Sequence, residues 1–463
     1  MSVWKSTLFP CLLIYIWMGT VRPMSVSLAA DVALQVQATP ANQSPPQGKL
    51  LTIEDAVRIG LENHPRIRAA KERIGSQEAI LGQQMSAYYP TINFNNSYRT
   101  TNSPGTAGAT SSIGIDTYTS QANLNLTLYN FGKREGTVQA ARETVDATRE
   151  DFATTTQDIV LSVKQAYYTY LGTQALVRVS QETLRNRELL VRQAQGFYEV
   201  GTRARIDVAR AEANLYTARA ELIGSENSVK IAWVTLRNAM GSPRLPEQPV
   251  AQDSPEVELT MNLAGARTIA FDNRTELRSF EAQRRASDQL IATARRGHLP
   301  DLVFDGFYGR RNSGGGGESA FPLQPAWQAQ VSLNIPIFDG FRTTNRVKES
   351  LHDYYIIRAQ EEERRQQIAL EVEQSYLRVV ETQERINATE SATRAAKENL
   401  DLAQGRYQVG VGSIIEVTDA ETLYTDAQTN YVRTLYDYRI ADAQLARAMG
   451  DNRVGVLKAG SIR

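Results

Sequence analysis

The chain has 463 residues, 42 % of them hydrophobic and 22 % charged, enough apolar material for two or three ordinary domains and not the composition of a disordered protein. Lys plus Arg and Asp plus Glu each number 51, so no basic field points to nucleic acid and no acidic tail is present. Cys11 is the only cysteine and falls in a segment expected to be cleaved, which leaves no thiol for disulfides, catalysis or metal binding.

Residues 1–29 read as a secretory signal peptide: Lys5 at the start, an apolar run from Leu8 to Met18, then Ser27-Leu28-Ala29. The run is short of the roughly 18 residues a spanning helix needs, and Leu8-Phe9-Pro10 before Cys11 is unlike the small residues that precede a lipid-bearing cysteine. Residues 30–49, with Pro40, Pro45 and Pro46, are expected to form a flexible leader.

From there the chain says things twice. "QGFYEVG" at 195–201 returns as "QGRYQVG" at 404–410, 209 residues later. Met240-Gly241 and Met449-Gly450 keep that spacing, as do Gln165 to Tyr167 and Gln374 to Tyr376. Further upstream the spacing is 210, in the pairs Asn63 and Asn273, Pro90 and Pro300, Phe94 and Phe304, and Tyr98 and Tyr308. A unit this long is no solenoid repeat. It predicts a duplicated domain: repeats at 50–241 and 263–450, a linker at 242–262 and a tail at 451–463.

Each repeat reads as helix, strand, strand, then a long helical hairpin. No proline occurs from Gly105 to Ser242, or from Ile337 onward. Proline inside a helix costs about 3 kcal/mol, so its absence permits very long helices over 131–240 and 340–449. The stretch from Lys133 to Glu199 would run roughly 100 Å at about 1.5 Å per residue. Apolar residues follow two adjacent lines, Ile159, Val163, Ala166 and Tyr170 beside Val160, Tyr167 and Leu171, with Ile368, Val372, Ser375 and Val379 beside Ala369, Tyr376 and Val380 in the second copy. Two lines suit a helix with a neighbour on each side, hence a palisade; the competing arrangement is a solid bundle. Val200-Gly201-Thr202 and Val409-Gly410-Val411 interrupt these helices, glycine supplying the positive φ of a helix stop.

Strands are expected at about 90–100, 118–129, 300–310 and 327–338. Ala122, Leu124, Leu126 and Leu128 alternate with Asn123, Asn125 and Thr127, and Trp327 to Ile337 alternates likewise. Period two alone fits a soluble sandwich as well as a membrane strand. The polar face is Asn, Gln, Ser and Thr with little charge, as for a wet lumen. The connections, Thr101 to Asp116 and Arg311 to Pro325, are rich in Gly, Ser, Thr and Asn, as for exposed loops. The glycines at 314–317 are followed by Glu318 and make no phosphate loop. Four strands are too few for a membrane barrel, whose minimum is about eight, and an open sheet edge in lipid leaves backbone groups unpaired. Several chains must therefore pool their strands.

The order of strand hairpin and long helical hairpin, "LYNFGKREG" echoed by "IPIFDGFRT", and the turns "YEVGTRARIDV" and "YQVGVGSIIEV" resemble the TolC family of outer-membrane efflux and type I secretion channels. The resemblance implies a mainly α fold with a membrane β portion: four strands per chain contribute to a trimeric 12-stranded β-barrel, continued by a 12-helix α-barrel across the periplasm. It implies a homotrimer in outer-membrane lipid of a Gram-negative cell, working with a periplasmic adaptor protein and an inner-membrane pump of the RND, ABC or MFS type. Val200, Gly201, Thr202, Val409, Gly410 and Val411 would be adaptor-docking positions. Glu416 and Asp419 match the acidic pair at the periplasmic entrance, and Tyr407 matches a tyrosine that latches it. The basic position of that latch is Gly412 here, which leaves Arg203 and Arg205 as candidate substitutes.

His64, His298 and His352 are isolated, and no nucleophile, base and orienting acid assemble into a motif. No enzyme, cofactor, metal or nucleic-acid partner is expected. The function read from the sequence is a passive exit duct for efflux or secretion; the alternative from another class is a soluble periplasmic coiled-coil scaffold.

Overall fold

A computed structural model describes residues 50–103, 113–251, 261–315 and 321–450. The expected signal peptide, leader and tail, the loop positions 104–112 and 316–320 and linker positions 252–260 lie outside the described residues.

The first repeat contains α1 (Ile53–Asn63), α2 (Pro65–Met85), β1 (Thr91–Ser103), β2 (Ile113–Tyr129), α3 (Lys133–Glu199) and α4 (Arg205–Ala239). The second contains α5 (Leu263–Asn273), α6 (Thr275–Arg295), β3 (Asp301–Gly315), β4 (Gln324–Asn334), α7 (Arg342–Gln408) and α8 (Ile414–Ala448). Corresponding helices have equal lengths: 67 residues in α3 and α7, 35 in α4 and α8. Thr52 and Asn262 cap α1 and α5 by accepting from the backbone N–H three residues on.

The helices form a row. On the tip side the packing order is α4, α3, α8, α7, and on the sheet side α2, α3, α6, α7, so α3 has a neighbour on both flanks. This is the palisade, and the two apolar lines explain it. Ile159, Val163, Ala166 and Tyr170 are buried, as are Tyr167 and Leu171 beside them. The end helices keep exposed apolar residues, Ile206, Tyr216, Ile223 and Ile231 on α4 and Tyr355, Leu370, Leu377 and Leu402 on α7.

The four strands form one antiparallel sheet in the order β1-β2-β3-β4, leaving β1 and β4 as its edges. Register places Phe94 opposite Ala122, Ala122 opposite Tyr308, and Tyr308 opposite Trp327 on one apolar face. On the other face Asn95 pairs with Gln121, Asn125 with Asp305, and Asp305 with Gln330. Phe94, Tyr308 and Trp327 are at least 70 % exposed, an arrangement water penalises at about 25 cal/mol per Å².

Two expectations about the strands need correction. The first three run past the expected bounds of 90–100, 118–129 and 300–310, with 13, 17 and 15 residues in β1, β2 and β3. β4 stops at Asn334 rather than near 338, because Pro336 has no N–H to continue the ladder; Ile337 and Phe338 beyond it are exposed.

Each strand-to-helix joint uses two successive left-handed residues, Phe131 and Gly132 before α3, Gly340 and Phe341 before α7. Only one of each pair is glycine, in swapped order, so each joint holds a phenylalanine in a conformation that costs about 1 kcal/mol or more. Surrounding bonds hold the first joint: Arg296 Nη1 donates to the Gly132 carbonyl at 2.7 Å, and Lys133 Nζ donates to the Leu299 carbonyl at 2.8 Å.

Candidate functional site

The two helical hairpins turn at 200–204 and 409–413. In the first, Gly201 has φ +75° and the Thr202 N–H donates back to the Phe197 carbonyl at 3.0 Å. In the second, Gly410 has φ +85° and the Val411 N–H donates to the Arg406 carbonyl at 3.0 Å. Both are helix stops in which a left-handed residue lets the following N–H reach an orphan carbonyl five residues back. Val200, Gly201, Thr202, Val409, Gly410 and Val411 are all exposed, which makes each tip a small surface of apolar side chains over a glycine turn.

An apolar cluster stands behind the tips: Leu190, Val191, Ala194, Ala211, Leu400, Ala403, Ile414 and Val417, with Tyr407 among them. Tyr407 is fully buried, edge-on to Phe197 with ring centroids 5.5 Å apart, and its hydroxyl has no hydrogen-bond partner among the described residues. Burial, then the Asp207 carboxylate, push its phenol pKa up, with Arg203 pulling the other way.

Arg203 reaches from the first tip to the second. Its Nη2 donates to the Gly410 carbonyl at 3.0 Å and to the Gly412 carbonyl at 2.6 Å, and its guanidinium carbon lies 5.3 Å from the Tyr407 ring centroid. Gly412 itself is buried: a Cβ there would meet the Arg406 side chain at 2.9 Å and the Tyr407 nitrogen at 3.0 Å. A basic side chain at 412 has no room; the cation beside the Tyr407 ring is Arg203 of the other hairpin. Arg205 does not join this group and is exposed at the first position of α4.

Glu416 and Asp419 lie on the first turns of α8 and are both exposed. Ser413 caps the helix by accepting from the Glu416 N–H at 3.2 Å, and their spacing is that of a capping box. The Glu416 carboxylate stands 3.4 Å from Arg406 Nε.

One pair escaped the sequence reading. Arg187 on α3 and Glu421 on α8 are 3.1 Å apart and almost completely buried, with Arg187 Nη2 also donating to Thr422 at 3.1 Å. Burial pushes the Glu421 carboxyl up to about 7 against the pull of Arg187. A signal existed: Ile414, Val417, Glu421 and Tyr424 keep a 3-4 spacing, which puts a carboxylate on the apolar line of α8.

Among the described residues no helix is long and apolar enough to cross a membrane. The family described as outer membrane efflux protein matches the chain twice, at residues 57–242 and 268–451, once in each repeat. The outer membrane protein TolC of Vibrio cholerae is 24 % identical over 398 residues, covering 84 % of this chain and 88 % of that protein. The probable efflux pump outer membrane protein TtgC of Pseudomonas putida is 24 % identical over 415 residues, covering 86 % and 82 %. In three dimensions the outer-membrane channel OprN superposes with a TM-score of 0.75 at 18 % identity, covering 87 % of this chain and 91 % of that one. A duplicated helix row joined to a four-stranded sheet, matched over nearly its whole described length, makes this chain a member of the outer membrane efflux protein family.

Proposed function

We propose that the chain is one protomer of a homotrimeric outer-membrane duct. The observation that carries this reading is that the sheet and the helix row both end in open edges. β1 and β4 have unpaired outer backbones, and α4 and α7 carry exposed apolar residues. An open sheet edge in lipid leaves backbone groups unsatisfied at several kcal/mol each. Three copies pool twelve strands into a closed barrel and twelve helices into a second barrel at each level, while two copies give eight strands, whose interior fills with side chains.

In this duct the apolar sheet face meets lipid and the Asn- and Gln-rich face lines water. The tips dock a periplasmic adaptor through Val200, Thr202, Val409 and Val411, and Glu416 and Asp419 ring the periplasmic entrance. An inner-membrane pump supplies the energy, and the duct passes efflux or secretion substrates outward. Detergent-purified protein is expected to run as a heat-resistant trimer and to conduct ions after reconstitution; a water-extractable monomer without conductance overturns the reading. Replacing both carboxylates, Glu416→Ala with Asp419→Ala, is expected to abolish block by multivalent cations added at the tip side. Unchanged block removes the acidic ring.

A further inference from the structure

Charge is unevenly spread along the polar face of the sheet. At the end joined to the helices, Asp301 is paired with Lys133 Nζ at 2.9 Å. Further along, Asp305 accepts from the Asn125 side chain. At the end remote from the helices the face turns basic: Arg311 stands opposite Thr119 and Gln324, and Arg99 opposite Thr117. Both arginines are exposed, and neither has a carboxylate partner among the described residues. The Arg311 guanidinium carbon lies 5.6 Å from the Phe307 ring centroid, four residues nearer the helices on the same face, so the ring steadies the guanidinium along the wall.

Arg99 on β1 and Arg311 on β3 are separated by two strand spacings and two residues of rise, placing their Cα atoms about 12 Å apart, within joint reach of one multivalent anion. Arg310 alternates onto the apolar face, opposite Ser120 and Pro325. The basic pair therefore belongs to the lumen wall and not to a general basic rim.

We propose that Arg99 and Arg311 form an anion-holding band just inside the outer mouth of the duct, suited to solutes bearing several phosphate or sulfate groups. The inference rests on the trimeric duct reading. In a trimer the band has six guanidiniums, each a planar fork that matches an oxyanion with two donors, and a narrow passage with low-dielectric walls focuses their field. The duct then carries opposite signs at its ends, acidic at Glu416 and Asp419 and basic at Arg99 and Arg311.

The test uses the full-length channel in planar bilayers of zwitterionic phosphatidylcholine, which removes lipid phosphate as a competing anionic headgroup of net charge. Inositol hexakisphosphate added on the barrel side is expected to block the current reversibly, more strongly than from the tip side. The block should vanish in about 1 M salt, where the Debye length falls to about 3 Å. Arg99→Gln with Arg311→Gln is expected to raise the half-blocking concentration about tenfold or more, the loss of several charge-assisted contacts. The double lysine variant should restore part of the block, and Arg310→Gln should leave it unchanged. A wild-type channel that conducts without sided block overturns the band, with no variant needed. So does block that survives the double glutamine variant, or that Arg310→Gln weakens equally. Absence of any conductance from the wild type fails the duct itself, and the band falls with it.

Discussion

The two repeats share a backbone and an apolar core and differ in what stands beside that core. Where the short helices of the first repeat meet its long hairpin, the filling is apolar: Leu51, Ile53, Tyr167, Tyr170, Trp233, Leu236 and Met240 pack together, with Tyr170 and Trp233 rings 5.3 Å apart. At the same joint in the second repeat Arg274 replaces His64, Glu276 replaces Arg66, Arg447 replaces Asn238 and Asp442 replaces Trp233. Arg274 is almost wholly buried, bound to Glu276 at 3.0 Å and Glu371 at 2.6 Å, while its Nη1 donates to the Ala448 carbonyl at 3.2 Å, closing the C-terminus of α8. Arg447 completes the group on Glu276 and on Asp158 of α3, both at 2.8 Å. Helix lengths and glycine stops set the shape; an apolar core with Ile368, Val372, Leu445 and Met449 recurs in the second repeat, which adds a buried charged group beside it. Both joints tie the repeats together, the charged one through the ion pair of Arg447 with Asp158 and the apolar one through Tyr436 and Ile440 of α8 packed against it.

The largest expected effect separates these joints directly. Arg274→Ala removes the most buried cation of the group, leaving Glu276 and Glu371 to Arg364 and Arg447, and should destabilise by about 3 kcal/mol or more, the low end for broken buried pairs. His64→Ala, at the matching position, removes only a cap on the Arg66 N–H at 3.1 Å and should cost about 1 kcal/mol. Thermal unfolding of the detergent-purified protein by circular dichroism checks both; equal midpoints would erase the distinction.

Dependence on pH is the next largest and has two signs. Burial disfavours the charge on Glu276, but the hydrogen bond and charge of Arg447, then Arg274, outweigh it and hold the carboxyl down at about 2. Its folded pKa lies below the unfolded value, so its contribution is present above about pH 4.5 and is lost as pH falls towards 2, about 3 kcal/mol at full extent before solvent screening reduces it. Glu421, raised to about 7, behaves oppositely. The folded protein keeps its proton longer than the unfolded chain, so stability falls by about 3 kcal/mol as pH rises from about 4.5 through 7. Glu421→Gln should flatten that limb of a melting-temperature profile and leave the acid limb intact. Its counterpart Glu212 is exposed, so Glu212→Gln should change neither.

The smallest effect tests the apolar joint. The Tyr167 hydroxyl donates to the Ala251 carbonyl at 2.8 Å and lies 3.2 Å from the Leu51 carbonyl, fastening the strip where Leu51 bridges Val250. Tyr167→Phe should cost about 1 kcal/mol, and Tyr376→Phe, its copy in the second repeat, less than about 0.5 kcal/mol. Denaturant midpoints of the two variants resolve the difference.

What could be read beforehand was whatever local chemistry repeats. Proline-free stretches with two apolar lines became the helix row, alternation became the strands, and Gly201 and Gly410 took the positive φ that a helix stop needs. Alternation misled at Ile335 and Ile337, where the pattern continues but Pro336 ends the ladder. Contacts between distant positions left no trace in any window: Arg203 meets its acceptors 207 and 209 residues away, and Arg447 meets Asp158 across 289. Tyr407 is buried in the cluster behind the tips, which its position three residues before the glycine stop did not reveal.

The bond from Arg203 ends on two main-chain oxygens, and every amino acid provides one. Residues 409 and 411 can therefore be exchanged to suit whatever binds there while the brace between hairpins stays in place, which uncouples tuning of the contact surface from the rigidity of the ground it stands on.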